Sequence, residues 1–413
     1  MKKLFCLVMS IALLLQCSII SFGAQRVVRE TEEDVPSTFS STVPNGDDKS
    51  KLPIDIKAKS AVLMDVQSGK VLLAFNPDVK LYPASVTKIM TILLVAEAID
   101  TKKITLADKV TCSSNAASKG GSQIWLEEGE QMTVDELLRA TVIGSANDAA
   151  TLLGEYVSGS ESAFVALMNA RAKELGMKNT NFLNATGLDD TSEAHLTTAH
   201  DIAIMSVELL KHDFITKYTT VWMDSLRNGE TELVNTNKLV RFYEGTTGLK
   251  TGTTAKAGCC VSASAKRDNL HLVAVVMGSE NSNDRFETAK AMLSWGFSNY
   301  ISYTPKIPEA AVKSVEVIGG RTDFVDVSVP KIATELIKKG EEEKIIVKVE
   351  QCENVSAPVI EGQTLGTVTV MNGENILAEY KLTATTDVKK LSLPDVWLKM
   401  LNFFATGETK FPY

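Results

Sequence analysis

Residues 85–98 read Ser-Val-Thr-Lys-Ile-Met-Thr-Ile-Leu-Leu-Val-Ala-Glu-Ala, directly after the chain break Tyr82-Pro83-Ala84. This segment is a helix former that is apolar on almost every side. A helix without a polar face cannot lie on a surface and needs other elements packed around it. It is too short to span a membrane, which takes about 18 consecutive apolar residues. The chain must therefore fold around this helix. It is long enough to do so: 413 residues, 44% hydrophobic and 23% charged, suggest two or three globular domains rather than a disordered or fibrous chain.

Upstream of the helix the chain changes character twice. Met1-Lys2-Lys3 is cationic, residues 4–15 are almost wholly apolar, and small residues Ser21, Gly23 and Ala24 follow. That order describes a secretory signal peptide over residues 1–24, with an uncleaved N-terminal anchor as the alternative. Cys17 is preceded by Gln16 where a lipoprotein signal needs a small residue. Residues 25–55 are polar and aperiodic and read as a flexible spacer. Folded sequence is expected from near Ile54, with two strands joined through Gln67-Ser68-Gly69-Lys70. Thr133-Val134-Asp135-Glu136 is a capping box that opens a further helix. Cys112, Cys259, Cys260 and Cys352 remain after the signal, too few for a disulfide framework, and they read as free or singly bridged thiols. His195, His200, His212 and His271 are scattered, so no metal site is expected.

Three short motifs carry chemistry. Ser85 and Lys88 stand three residues apart at the start of the apolar helix, one turn from each other on one face. A serine hydroxyl needs an adjacent base to become a nucleophile, and a lysine desolvated against Ile89, Ile92 and Leu93 is suited to accept its proton. Ser145 and Asn147 form a Ser-x-Asn among small residues, and Lys250-Thr251-Gly252 is followed by Thr253. Residues 258–265 and 270–277 read as strands, which puts Lys250 on the first strand of an antiparallel pair, where Gly252 lets a substrate backbone approach. Each motif also has a bland reading: Ser145 and Asn147 as turn or cap residues, and Lys250 as a solvated edge-strand lysine.

In this order and context the triple resembles the signature set of the penicillin-binding proteins and serine β-lactamases. Within them the chain is most similar to low-molecular-mass D-alanyl-D-alanine carboxypeptidases. The resemblance covers residues 58–300 and includes Pro83-Ala-Ser-Val-Thr-Lys-Ile-Met90, Asn184-Ala-Thr-Gly-Leu-Asp-Asp190 and Gly248-Leu-Lys-Thr-Gly-Thr-Thr-Ala-Lys-Ala-Gly258. It implies an α+β catalytic domain over residues 56–303, with a five-stranded antiparallel sheet, packed helices and a helical lobe inserted between its first and last strands. It implies Ser85 as nucleophile, Lys88 as base and Ser145 as proton relay to the leaving D-alanine. Asn147 would bind the substrate backbone, Lys250 and Thr251 the terminal carboxylate, and the Ser85 and Thr253 N–H groups the oxyanion. The implied substrate is a peptidoglycan stem peptide ending in D-Ala-D-Ala, β-lactams are acylating mimics, and no cofactor is implied.

Rival readings are a β-lactamase, an endopeptidase or transpeptidase acting on cross-links, and a non-catalytic wall-binding homologue. A class A β-lactamase needs a deacylating glutamate in a Glu-x-x-x-Asn setting, and Glu174 has Asn179 five positions on instead.

After residue 303 the pattern turns to short β-type runs with Asn372-Gly373 as a hairpin signal, a small β-rich domain over residues 304–388. Family members carry such a domain at this place, where it would hold the catalytic domain away from the membrane. In residues 389–413, Val396, Trp397, Met400, Leu401 and Phe404 recur at helical spacing, with Leu393 and Phe403 nearby, and four lysines stand against Asp395 and Glu408. This helix suits an anionic membrane surface, with docking on the β-domain as the alternative. The expected location is the outer face of the cytoplasmic membrane. The formal net charge of −8 gives no reason to expect nucleic acid as a partner.

Overall fold

The computed structural model describes residues 45–46, 51–188 and 193–406. The signal segment and most of the spacer lie outside these residues, as do Asp189 and Asp190.

Five strands form the central antiparallel sheet: β1 (Ser60–Asp65), β2 (Val71–Phe75), β3 (Thr246–Thr254), β4 (Gly258–Arg267) and β5 (Leu270–Ser279). Their spatial order is β2-β1-β5-β4-β3. The first and last strands in sequence, β1 and β5, thus pair side by side in the middle of the sheet, and β3 is an edge strand. The register pairs Val275 with Val62, Val273 with Ser264 and Lys250 with Ser262. Nearly every residue of β1 and β5 is buried, as expected of strands covered on both faces. A sixth element departs from the expected sheet: Asn45 and Gly46 pair in parallel with Ala74 and Phe75 of β2. Leu52 and Ile54 also pack against the core, so the end of the expected spacer already belongs to the folded domain.

The apolar helix is α1 (Lys88–Asp100), with every residue from Lys88 to Ala96 buried. Around it lie α2 (Val134–Val142), α3 (Asn147–Ser158), α4 (Glu161–Glu174) and α5 (Ala199–Leu209), all inserted between β2 and β3. Thr133 caps α2 through the expected reciprocal box with Glu136. The opposite face of the sheet is covered by α6 (Ser282–Asn299), whose Phe286, Ala289, Met292, Leu293 and Phe297 pack with Leu63 and Leu272. Burial of each such side chain contributes about 1.5–3 kcal/mol. Gly296 lets α6 close on the sheet, because a Cβ there would stand 2.6 Å from Leu272 Cδ1.

Residues 304–388 form small β-sheets around two apolar clusters, one centred on Val315, Val317 and Val359, the other on Val368, Val370 and Leu382. The boundary is not a clean cut, because Tyr300–Tyr303 pairs with Glu335–Lys338 across it. The Asn372-Gly373 signal does mark a hairpin. Asn372 is still a ladder residue, paired with Asn375, and the two turn residues are Gly373 and Glu374. Gly373 takes the positive φ of 59° that the turn requires. The final helix, α7 (Leu393–Thr406), exposes Leu393, Trp397, Leu398, Leu401 and Phe404, and Arg321 pairs with Asp395 at its first turn.

Candidate active site

Ser85 lies in a short 3₁₀ turn, Ala84–Thr87, that leads into α1. Sequence spacing places Ser85 and Lys88 on one α-helical face. The tighter 3₁₀ turn aligns residues three apart more closely still. Ala84 has a left-handed φ of 48°, and Gly187 packs on its carbonyl so closely that a Cβ there would stand 1.8 Å from the oxygen. Thr87 and Thr91 tie the turn and helix to the 182–187 segment. Thr91 Oγ1 donates to Ala185 O at 2.7 Å, and Thr87 Oγ1 lies 3.0 Å from His195 Nε2. His195 Nδ1 accepts the Leu183 N–H, so the neutral ring carries its proton on Nε2 and donates to Thr87.

Lys88 is fully buried. Its Nζ lies 2.6 Å from Asn147 Oδ1, 2.9 Å from Thr186 O and 3.0 Å from Ser85 Oγ. Burial drives its pKa far below the usual lysine value, the Lys250 charge pushes the same way, and Asp148 opposes them. As an ammonium, Lys88 donates to all three oxygens. As a neutral amine it has two N–H groups and one lone pair. Asn147 Oδ1 and Thr186 O can only accept, so they take both N–H groups. The lone pair is left for the Ser85 hydroxyl, which then becomes the donor. The surroundings thus aim the base at the nucleophile.

Ser145 is buried in the turn between α2 and α3, with a left-handed φ of 60°. Asn147 opens α3, donating its N–H to Ser122 O at 2.7 Å and its amide Nδ2 to Gly120 O at 2.6 Å. The resemblance gave Asn147 to the substrate; here its carbonyl is held by Lys88 and one amide N–H by Gly120.

Lys250, Thr251, Gly252 and Thr253 lie on edge strand β3, as expected from the pattern. The solvated-lysine reading fails, since Lys250 is 1% exposed. Burial, reinforced by the Arg285 charge, pushes its pKa down to about 7. Thr251 Oγ1 bonds Thr236 Oγ1 at 2.7 Å. Gly252 is needed for a reason the sequence did not suggest. A Cβ there would stand 2.8 Å from Ser85 N and 2.9 Å from Pro83 O, so the missing side chain admits the nucleophile's own backbone.

Sequence reasoning missed two contributors. Arg285 of α6 donates to Gly252 O at 3.0 Å, Thr253 Oγ1 at 2.9 Å and Cys260 O at 3.2 Å, fixing β3 behind the site. Nothing local in its helix marks it. Thr186 contributes a carbonyl, which no side-chain motif encodes, although its segment belongs to the quoted resemblance. Glu174 sits at the end of α4, 66% exposed and paired with Arg171, so it is no deacylating base. The four thiols are free, with Cys112, Cys259 and Cys260 buried and Cys352 exposed.

Comparison with known proteins identifies the family and the fold. Residues 47–281 match the family model for D-alanyl-D-alanine carboxypeptidase, and residues 305–390 match that for the penicillin-binding protein 5 C-terminal domain. The chain is 44% identical to D-alanyl-D-alanine carboxypeptidase DacF of Bacillus subtilis, over 86% of this chain and 91% of the relative. It is 34% identical to DacC of Escherichia coli, over 78% and 82% respectively. Among solved structures, penicillin-binding protein 5 from Haemophilus influenzae superposes with a TM-score of 0.68 at 31% identity, over 82% of this chain and 99% of that one. Penicillin-binding protein D2 from Listeria monocytogenes, solved in an ampicillin-bound form, gives 0.54 at 29% identity, over 59% and 98%.

Proposed function

The chain belongs to the D-alanyl-D-alanine carboxypeptidase family, and from that premise we propose which of its residues carry out the reaction. It is a serine-type carboxypeptidase and a penicillin-binding protein, which removes the terminal D-alanine of peptidoglycan stem pentapeptides and is acylated by β-lactams.

Ser85 Oγ attacks the carbonyl carbon of the penultimate D-alanine as its proton passes to the lone pair of Lys88. The N–H groups of Ser85 and Thr253 receive the oxyanion, and loss of one such donor typically costs about 3 kcal/mol of transition-state stabilisation. Collapse breaks the C–N bond, and the departing amine takes a proton from Lys88 by way of the Ser145 hydroxyl. Water then adds to the Ser85 ester with Lys88 again as base. The ester C–O bond breaks as Lys88 returns the proton to Ser85, and the shortened peptide leaves as a carboxylate after its acid gives the remaining water proton to solvent. The Lys250 ammonium holds the terminal carboxylate, and the Thr251 hydroxyl turns from Thr236 to donate to it. Asn147 positions Lys88, and its second amide N–H is available to a substrate carbonyl.

The observation that carries this assignment is the pair of carbonyl acceptors on Lys88, which leaves its lone pair for Ser85. Incubation with a fluorescent penicillin should give one covalent adduct by mass spectrometry, on Ser85, absent in Ser85→Ala. Free D-alanine should appear from a pentapeptide. An adduct elsewhere, or none, discards the assignment.

Around this chemistry we further propose that residues 1–24 direct export, that residues 304–388 act as a spacer domain, and that α7 attaches the protein peripherally to the outer face of the cytoplasmic membrane. The exposed apolar side chains of α7 support the last point.

A further inference from the structure

Trp125 is 71% exposed, while Ile124 and Leu126 on either side of it are buried. Single exposed aromatics are ordinary and carry nothing by themselves. Trp125 differs in how its backbone is built. Its φ is 54°, a left-handed conformation unfavourable for any residue with a large side chain. The surroundings enforce it from both sides. The fully buried Asp148 carboxylate accepts the N–H of Ile124 at 3.1 Å and that of Leu126 at 3.0 Å. Arg227, itself clamped on both carboxylate oxygens of Glu130, donates to Ile124 O at 2.8 Å. A buried charge and a bidentate ion pair thus hold the indole outward.

The location is specific as well. Asp148 follows Asn147, which holds Lys88, and the Asn147 amide groups bind the Gly120 and Ser122 carbonyls of the same loop. The indole therefore projects from the loop that Asn147, the holder of the catalytic lysine, ties to α3. Around it Gly120, Gly121, Ser122, Glu127 and Glu128 are exposed, so one large apolar plane lies in a hydrogen-bonding setting. An aliphatic side chain would cover the plane and leave those polar groups unmatched. A pyranose ring presents C–H groups on one face and hydroxyls at its edge, which matches both.

We propose that Trp125 is a saccharide-stacking platform that favours stem peptides still attached to their glycan strand over free peptides. This deepens the carboxypeptidase reading and rests on it. The discriminating measurement is the ratio of kcat/KM for a glycan-linked pentapeptide to that for the free pentapeptide, in the full chain and in Trp125→Ala and Trp125→Phe. The ratio should fall about tenfold in Trp125→Ala, as for loss of one aromatic anchor, and less in Trp125→Phe. An unchanged ratio overturns the proposal, whether both rates persist or both fall together. Binding can be read without turnover by titrating intrinsic fluorescence with a stem-free glycan oligosaccharide. Quenching should occur in the parent chain and vanish in Trp125→Phe, and equal responses of the two also overturn it. Failure of the carboxypeptidase reading is recognised separately, as absence of D-alanine release from both substrates by the parent chain.

Discussion

Lys88 Nζ stands closer to Asn147 Oδ1, at 2.6 Å, than to Ser85 Oγ, at 3.0 Å. The base is therefore gripped by the helical lobe, although the nucleophile it serves belongs to its own turn. Because that grip comes from a neutral carbonyl, it orients the amine without adding charge. Asn147→Asp would replace the carbonyl by a carboxylate, which favours the charged lysine and raises its pKa. Acylation by penicillin at neutral pH should fall roughly 100-fold, the usual scale for disabling a general base. The acidic limb of the pH profile should move upward. An acidic limb that stays in place would show that Asn147 does not tune Lys88.

Lys250 gives a second pH dependence of opposite sense. Its pKa of about 7 means that the positive charge facing a substrate carboxylate is present below neutrality and lost above it. KM for a D-alanine-terminated peptide should rise above that pH, approaching tenfold per pH unit when only the charged form binds. Lys250→Arg keeps its charge and should flatten the limb. The stability effect has its own sign. Between about 7 and the ordinary lysine value of 10.5 the unfolded chain holds the proton that the native state has released. The Lys250 contribution to stability therefore grows with pH across that window. Steady-state kinetics from pH 6 to 9 decide the first point, and a KM flat over that range would refute it.

Gly252→Ala tests the contact between β3 and the nucleophile turn. The added Cβ would meet Ser85 N at 2.8 Å, which either moves Ser85 or pushes β3 away from it. Both displace the oxyanion donors by tenths of an ångström. Acylation should slow by about 100-fold, in line with removal of one such donor. Stopped-flow measurement with a chromogenic β-lactam gives the rate, and an unaltered rate contradicts the close approach.

Deleting residues 389–413 removes α7 with its exposed Trp397, Leu401 and Phe404. D-Alanine release should be retained, since these residues lie outside the catalytic domain, while the protein should move from the membrane pellet to the soluble fraction. Continued sedimentation with membranes would refute peripheral attachment through α7.

Legibility of the fold followed the range of the interactions. The α2 capping box and the turn at Gly373 were readable because a few adjacent residues decide them. The environment of Lys88 was readable because Ile89, Ile92 and Leu93 already imply desolvation. Asn45 and Gly46 were assigned to a spacer, since their pairing with Ala74 and Phe75 leaves no periodic signature in so short a segment.

The sequence by itself determined which chemical groups this protein possesses and in what order: a hydroxyl three residues from a lysine, a Ser-x-Asn, a Lys-Thr-Gly, and a helix apolar enough to bury the lysine among them. Only the tertiary structure decided how those groups are aimed. Thr186 directs Lys88 through a backbone carbonyl 98 residues away, and Arg285 reaches from α6 to hold β3 by the Gly252 carbonyl. Backbone carbonyls are present at every residue, so no pattern of side chains marks the few that matter. They acquire meaning when packing buries them beside a donor and removes the water that would otherwise satisfy both.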